Sequence, residues 1–272
     1  MKLNAENYFS PKAMHEYLSV SQFKAFVGSP FKEGCPASAM AELKGEYVKP
    51  KSDALLLGSY VDCMLTEPEK YESFVSDHPE MFSSRGATKG ELKSTFQRGI
   101  QMVERVKRDE FAMKTLNGKK QVIMTGDLYG AKWKIKLDVL GDKFITDLKT
   151  CESITKSYYD KTNSRWVSFV EYYDYVLQAG IYQKIVEQNI GKKLPFFLLA
   201  VSKEPTTDIE VIQIDNQSIE ERLEGIENYV SLVRAYKNGE IEPSRCEHCD
   251  YCKETKILSK PINYLELGGV FD

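Results

Sequence analysis

The sequence predicts an α/β fold in which a mixed central sheet is flanked by helices. Two observations carry that expectation. Short apolar runs at about 121–128, 131–140 and 143–149 read as three strands, and Tyr129-Gly130 and Gly141-Asp142 supply the tight turns between them. A helical pattern near 168–190 then separates these from two further strands at about 195–202 and 208–214. The order α-β-β-β-α-β describes a mixed α/β core.

The remaining elements follow from local signals. Residues 11–28 read as one helix, with Ser21 as a cap inside a Ser-Val-Ser-Gln start, followed by a loop through Gly28 and Gly34-Cys35-Pro36. Residues 53–76 form an apolar helix interrupted near Pro68, 77–90 a loop, and 90–116 a long polar helix. A helix over 216–238 leads into a cysteine-rich tail. The whole of 1–272 is expected to be one domain: a helical part (about 1–118), a sheet core (about 119–215) and a C-terminal helix with its tail (about 216–272). No internal repeat or low-complexity stretch interrupts it.

Composition narrows the function classes. With 272 residues, 42% of them hydrophobic, the chain can bury one large core. No run approaches the ~18 apolar residues of a membrane span. The N-terminal MKLNAENYFS lacks the apolar core of a signal peptide, so cytoplasmic residence is the expectation. A net charge of −3 argues against a globally basic nucleic-acid binder. It leaves room for an acidic metal site offset by local basic residues.

The chemistry concentrates in KIKLDVLGDKFITDLKT, residues 134–150. Strand residues alternate faces, so Asp147 and Lys149 share one side while Leu148 turns into the packing. The turn at Gly141-Asp142 brings Asp138 toward that same side. Two carboxylates and an ammonium suit a hard divalent cation such as Mg²⁺ or Mn²⁺, which leaves coordination positions for water and a phosphate oxygen. A neighbouring lysine can orient a water nucleophile and steady charge on the phosphate. Metal-dependent phosphodiester hydrolysis is the expected reaction. Lysine–aspartate pairs on strands are also common solvated partners, but FITDLKT has the look of a buried strand, where charge needs a reason.

The tail offers a second centre. Cys246, Cys249 and Cys252 form C-x-x-C-x-x-C, a density that suggests a metal in a reducing compartment. Such a site wants four ligands, and Cys35 is the natural fourth. Zinc with His248 as a substitute ligand, or three reduced thiols, are the alternatives. Cys63 and Cys151 read as core cysteines.

Four blocks in order resemble the PD-(D/E)XK nuclease superfamily, and within it the phage-type RecE/RecB-like exonucleases. They are LSVSQFKAFVGSP (18–30), GSYVDCMLTEPE (58–69), Asp138 with Asp147-Leu148-Lys149, and YDYVLQAGIYQKI (173–185), whose Gln178 and Tyr182 match Gln-x-x-x-Tyr. The resemblance implies a restriction-endonuclease-like core and a Mg²⁺-dependent DNA exonuclease acting on DNA ends in phage-type recombination. It makes Asp138, Asp147 and the Leu148 carbonyl metal ligands, Lys149 the group that positions or helps deprotonate water, and Gln178 and Tyr182 its helpers. Asp62 stands where the family helix carries a histidine ligand. A carboxylate can still coordinate there, and in so apolar a helix it needs a partner. The alternative is a catalytically weak DNA-binding or assembly module that keeps the fold. Related members clasp a [4Fe-4S] cluster with one N-terminal and three C-terminal cysteines; the distribution here is similar, although their last spacing is usually longer than Cys249 to Cys252, a departure that leaves zinc open. A single-strand annealing protein is the implied partner, and ring-forming relatives make a homo-oligomer an expectation.

DNA contact is expected from Lys132, Lys134 and Lys136 on one strand face and from Lys156, Lys161 and Arg165. Tyr158, Tyr159 and Trp166 are available to stack on unpaired bases. The segment Ser83–Lys93, with Arg85, Lys89 and Lys93, is expected to be a flexible loop that wraps the DNA strand. No G-x-x-x-x-G-K-[ST] loop is present, so no nucleotide hydrolysis is expected.

Overall fold

The computed structural model of the chain describes residues 1–50, 52–161 and 163–264. The chain opens with α1 (Pro11–Glu16), α2 (Val20–Val27), a small pair β1 (Gly28–Ser29) and β2 (Lys32–Glu33), and α3 (Pro36–Lys44). Helices α4 (Asp53–Thr66), α5 (Tyr71–Asp77), α6 (Ser94–Lys107) and α7 (Glu110–Thr115) follow, with a 3-10 turn at Pro68–Lys70 where the apolar helix was expected to break. Strands β3 (Lys119–Leu128), β4 (Ala131–Leu140) and β5 (Ile145–Cys151) come next, then a separate ribbon of β6 (Tyr158–Asp160) and β7 (Arg165–Val167). Helices α8 (Phe169–Tyr172) and α9 (Tyr175–Ile190), strands β8 (Phe196–Ser202) and β9 (Ile209–Ile214), and helices α10 (Asn216–Leu223), α11 (Ile226–Asn238) and α12 (Asp250–Glu254) complete the described chain. Among the described residues no helix is long and apolar enough to cross a membrane.

The main sheet runs β3-β4-β5-β8-β9. Its one parallel pair is β5 with β8; the rest are antiparallel, so the sheet is mixed as expected. Helices cover both faces. On one side Phe23 and Phe26 of α2, Leu177, Ile181 and Ile185 of α9, and Val230 of α11 bury Trp133, Ile135 and Leu137. On the other, Leu57, Tyr60 and Val61 of α4 with Met102 and Val106 of α6 bury Val139, Leu148, Leu199 and Val201. Each fully buried aliphatic side chain contributes about 1.5–3 kcal/mol.

Four helices expected to be continuous are broken, each for an identifiable reason. The stretch 11–28 divides because Leu18 is drawn into a bridge with Trp133, and Ser19 rather than Ser21 caps α2. The stretch 90–116 divides at Asp109, whose carboxylate caps α7 through the Ala112 N–H. Within 168–190, Asp174 sits in the left-handed region (φ 53°), caps α9 and makes a two-toothed ion pair with Arg222. Gly225 (φ 69°) divides 216–238. In each case the apolar spacing continues across the cap, so periodicity alone reads one helix. Helix α3 and the β6–β7 ribbon lie where the sequence pattern assigns no element beyond the loop through Gly34-Cys35-Pro36. The basic segment from Ser83 is closed at its base by a bridge between Phe82 and Leu92.

Candidate active site and metal centre

The site forms where the sheet loses its regular pairing. Strands β4 and β5 pair only at Val139–Thr146 and Leu140–Ile145. Continued one step, that register would set Asp138 opposite Asp147. The strands part there instead, and Asp138 Oδ2 fills the gap by accepting the Leu148 N–H at 2.8 Å. On the other side, the β3–β4 ladder skips Gln121, which adopts φ 52° opposite Asp138. A glutamine in the left-handed region is strained, a state that clusters at functional sites. The interruption shifts the side-chain alternation, so Leu137 packs in one core and Val139 in the other.

Asp147 is buried with 2% of its surface exposed. Its Oδ1 accepts from Gln178 Nε2 at 2.6 Å, and its Oδ2 lies against the Lys149 ammonium without receiving a properly directed hydrogen bond. The Lys149 ammonium also sits 5.2 Å from the Tyr175 ring centroid. Tyr182, one helical turn beyond Gln178, donates to the Lys136 carbonyl at 3.5 Å. Helix α9 thus delivers Gln178 to β5 and Tyr182 to the neighbouring β4 from one helix face, as their i, i+4 spacing allows.

Asp62 reaches the edge of this group from α4. Gln121 Nε2 donates to its Oδ2 at 3.1 Å, and the Thr66 hydroxyl donates to its Oδ1 at 3.0 Å. Gln121 carries no sequence signal: a polar residue at a strand's start is ordinary, and only its backbone strain and its reach to Asp62 single it out. Tyr175 was equally hidden among the tyrosines around it. A cleft of about 760 Å³ runs past these groups, lined by Gly58, Asp62, Asp138, Lys149, Tyr173 and Tyr175 among others. Gly58 lets α4 approach β5, since a Cβ there would lie 3.2 Å from Thr150 Oγ1.

The electrostatics suit a cation. Burial, then the charges of Asp147 and Asp62, push the Asp138 carboxyl well up from its usual range. Burial likewise raises Asp62. For Lys149 burial opposes the charged form, but Asp147 and Asp138 outweigh it and raise its pKa, so it stays an ammonium. The carboxylates of Asp62, Asp138 and Asp147 are hard-oxygen donors that fit Mg²⁺ or Mn²⁺, and the buried Asp147 Oδ2 is met by the Lys149 charge without a directed hydrogen bond. Their oxygens are not drawn together in advance. Among the described residues the one group of three or more close metal-ligand side chains is the four cysteines, whose sulfurs all lie within 4.8 Å of one another.

A stability prediction follows. A carboxyl whose folded pKa is raised stabilises the fold at low pH and loses that contribution as pH rises through the raised value. The metal-free chain should therefore soften as pH climbs above the ordinary carboxylate range. Asp138→Asn, which can still accept the Leu148 N–H, should raise the metal-free melting temperature at pH 8 by about 2–4 °C and abolish the Mg²⁺-induced rise. Thermal melts across pH, with and without Mg²⁺, measure this. A variant that melts and responds to Mg²⁺ like the wild type refutes it.

The expected DNA-contacting residues divide. Lys134 is a correction: it is 1% exposed, donates to the Tyr8 carbonyl and covers the Tyr8 ring. The N-terminal segment packs over that strand face, so the alternation of Lys132, Lys134 and Lys136 does not make a basic surface. Burial lowers the Lys134 pKa to about 8. Lys136 is half-buried and its charge acts on Asp62. Lys156 and Arg165 are exposed but paired, with Glu152 and with Asp160 and Glu171 respectively.

The cysteine centre assembles from the two ends of the described chain. Cys35, the cap of α3, lies with its sulfur 3.6 Å from Cys252, and Cys246 lies 3.9 Å from Cys252. Backbone N–H groups of Ser38, Cys249 and Cys252 point at the sulfurs of Cys35, Cys246 and Cys249. Sulfurs held about 2.3 Å from one tetrahedral zinc sit roughly 3.8 Å apart, which these distances match. An iron–sulfur cluster carries each thiolate on a different iron and spreads them farther. His248 is not a ligand; its Nε2 pairs with Glu33 at 2.8 Å. Cys63 and Cys151 are buried and separate.

Residues 19–255 match the model of a PDDEXK-like domain of unknown function (DUF3799). A crystal structure from Eubacterium rectale, of a protein provisionally named an exonuclease, matches at 41% identity with a TM-score of 0.93, over 99% of this chain and 99% of its own. The solved structure of SSO0001 covers 78% of this chain and 88% of its own at 15% identity, with a TM-score of 0.29, too low to bear on fold or function. No curated protein matches the sequence.

Proposed function

Since this chain belongs to the PDDEXK-like domain family, within the PD-(D/E)XK nuclease superfamily, we propose that it is a divalent-metal-dependent DNA exonuclease. The observation that carries the reading is the meeting of Asp138, Asp147, Lys149 and Gln178 at one break in the sheet, beside an open cleft. The provisional name of the Eubacterium rectale protein points the same way. Mg²⁺ or Mn²⁺ held by Asp138 and Asp147, with Asp62 and the Leu148 carbonyl near, would supply Lewis acidity at the phosphodiester.

The chain's own residues do the rest. Gln178 fixes Asp147 Oδ1, which leaves Oδ2, held against the Lys149 ammonium, as the oxygen that turns to a metal. Lys149, kept charged by its neighbours, donates hydrogen bonds that orient the attacking water and steady the phosphate as negative charge builds. It does so as a donor and not as a base. Gln121 and Thr66 hold Asp62 toward the cleft, which favours a retained ligand role over a lost one. The cysteine centre is read as a structural zinc clasp. DNA-end processing with a single-strand annealing partner, in phage-type recombination, and a homo-oligomeric state belong to the same proposal through the family resemblance.

The test uses end-labelled linear duplex DNA beside a covalently closed circle of the same sequence. With Mg²⁺ the linear form should release label while the circle survives, and EDTA should stop release. Cleavage of the circle overturns the end-directed reading. Binding without any cleavage overturns the nuclease reading in favour of an inactive module.

A further inference from the structure

The β6–β7 ribbon stands outside the main sheet and presents two different faces. Its register pairs Tyr158 with Val167, Tyr159 with Trp166, and Asp160 with Arg165. Alternation therefore turns Tyr158 and Val167 inward and Tyr159 and Trp166 outward. The inward face is anchored. Tyr158 stacks on Tyr172 at 4.1 Å between centroids and meets Tyr173 edge-on at 5.8 Å. Tyr173 lines the cleft with Tyr175, the ring that faces Lys149. The ribbon is thus fixed at the mouth of the candidate active site.

The outward face is left in solvent. Trp166 is 67% exposed and Tyr159 49%, their centroids 5.3 Å apart at 61°. A three-residue ribbon is marginal by itself; the cross-strand contact of the two rings helps hold it, yet leaves most of the Trp166 surface and about half of the Tyr159 surface in water. Charge is balanced around it: Lys156 and Arg165 are already met by Glu152, Asp160 and Glu171. Phosphate attraction is therefore weak here, and flat apolar surface is what remains to recognise a ligand. The partner that offers flat apolar faces beside a nuclease cleft is an unpaired base; in a duplex those faces are hidden by stacking.

We propose that Tyr159 and Trp166 form a base-stacking platform that holds unpaired nucleotides of single-stranded DNA at the cleft mouth. It rests on the nuclease reading for the identity of the ligand. The platform is sequence-tolerant, because every base has a π-face, and it selects single strands over closed duplex.

The chain's two tryptophans make the test direct. Trp133 is fully buried, so a solvent-sensitive change in emission reports Trp166. Titration of the intact protein with oligothymidylate in EDTA should quench this emission saturably, and blunt duplex of equal length should not. Trp166→Phe should lose the signal yet keep affinity, read by anisotropy of a labelled oligonucleotide. The Tyr159→Ala, Trp166→Ala double variant should lose roughly tenfold in affinity or more for each ring. Unchanged oligonucleotide affinity in the double variant, with DNA cleavage intact, sinks the platform and spares the nuclease. Quenching and ring-dependent affinity in a protein that never cleaves DNA sustain the platform and sink the nuclease.

Discussion

Replacing Lys149 with alanine is expected to slow Mg²⁺-dependent DNA hydrolysis by about 10²- to 10³-fold, the scale seen when one preorganised charge-stabilising donor is removed. The ammonium lies between Asp147 and the Tyr175 ring, and no other cation contacts the buried Asp147 carboxylate among the described residues. Its loss also leaves Asp147 and Asp138 facing each other without a compensating charge. The metal-free variant should therefore melt lower than wild type, and Mg²⁺ should recover more of that loss than it adds to wild type. Lys149→Met keeps the apolar stem and separates lost charge from lost packing. Lys149→Arg keeps the charge but not the compact ammonium, and should restore melting more than cleavage. Single-turnover cleavage with thermal melts reads both effects. An alanine variant within a few-fold of wild-type rate removes Lys149 from the chemistry.

Cys252→Ser is expected to lower the melting temperature by about 10 °C or more. Structural zinc sites contribute several kcal/mol at least, and each kcal/mol moves a domain of this size by about 2–4 °C. The clasp joins α3 to the tail across 217 residues of sequence, with the Ala37 N–H also bonded to the Ser244 carbonyl. Cys252 is fully buried. Metal analysis of the purified protein should find one zinc per chain, and Co²⁺ substitution should give tetrahedral thiolate absorption. Stoichiometric iron with visible absorption near 400 nm overturns the single-ion reading. Cys63→Ser, outside the cluster, should leave metal content unchanged.

Much of this was legible in the chain because short-range geometry carries it. Period-two alternation and the Gly141 turn suffice to put Asp138 near Asp147 and Lys149. A helix's i, i+4 spacing joins Gln178 to Tyr182. Cysteine spacing marks a centre, and the demand for four ligands points to Cys35. The failures share a cause as well. Alternation groups Lys132, Lys134 and Lys136 on one face but does not say what covers it; Tyr8 does, from 126 residues away. Periodicity runs through Asp109, Asp174 and Gly225, because the helices on either side bury the same stripe against one sheet.

The sequence by itself thus determined the succession of strands and helices along the chain, the residues of the carboxylate–lysine group and the cysteine set, since each depends on neighbours within a few residues or on side-chain chemistry alone. Only the tertiary structure decided how those residues meet. The skipped pairing at Gln121 and the parting of β4 from β5 open a cavity for Asp138, and α4 and α9 arrive from opposite faces with Asp62 and Gln178. The ribbon's aromatic face is settled the same way, by Tyr172 and Tyr173 claiming one side of it. Contacts of this kind join segments far apart in the chain, where packing and the need to satisfy buried polar groups outweigh local preference.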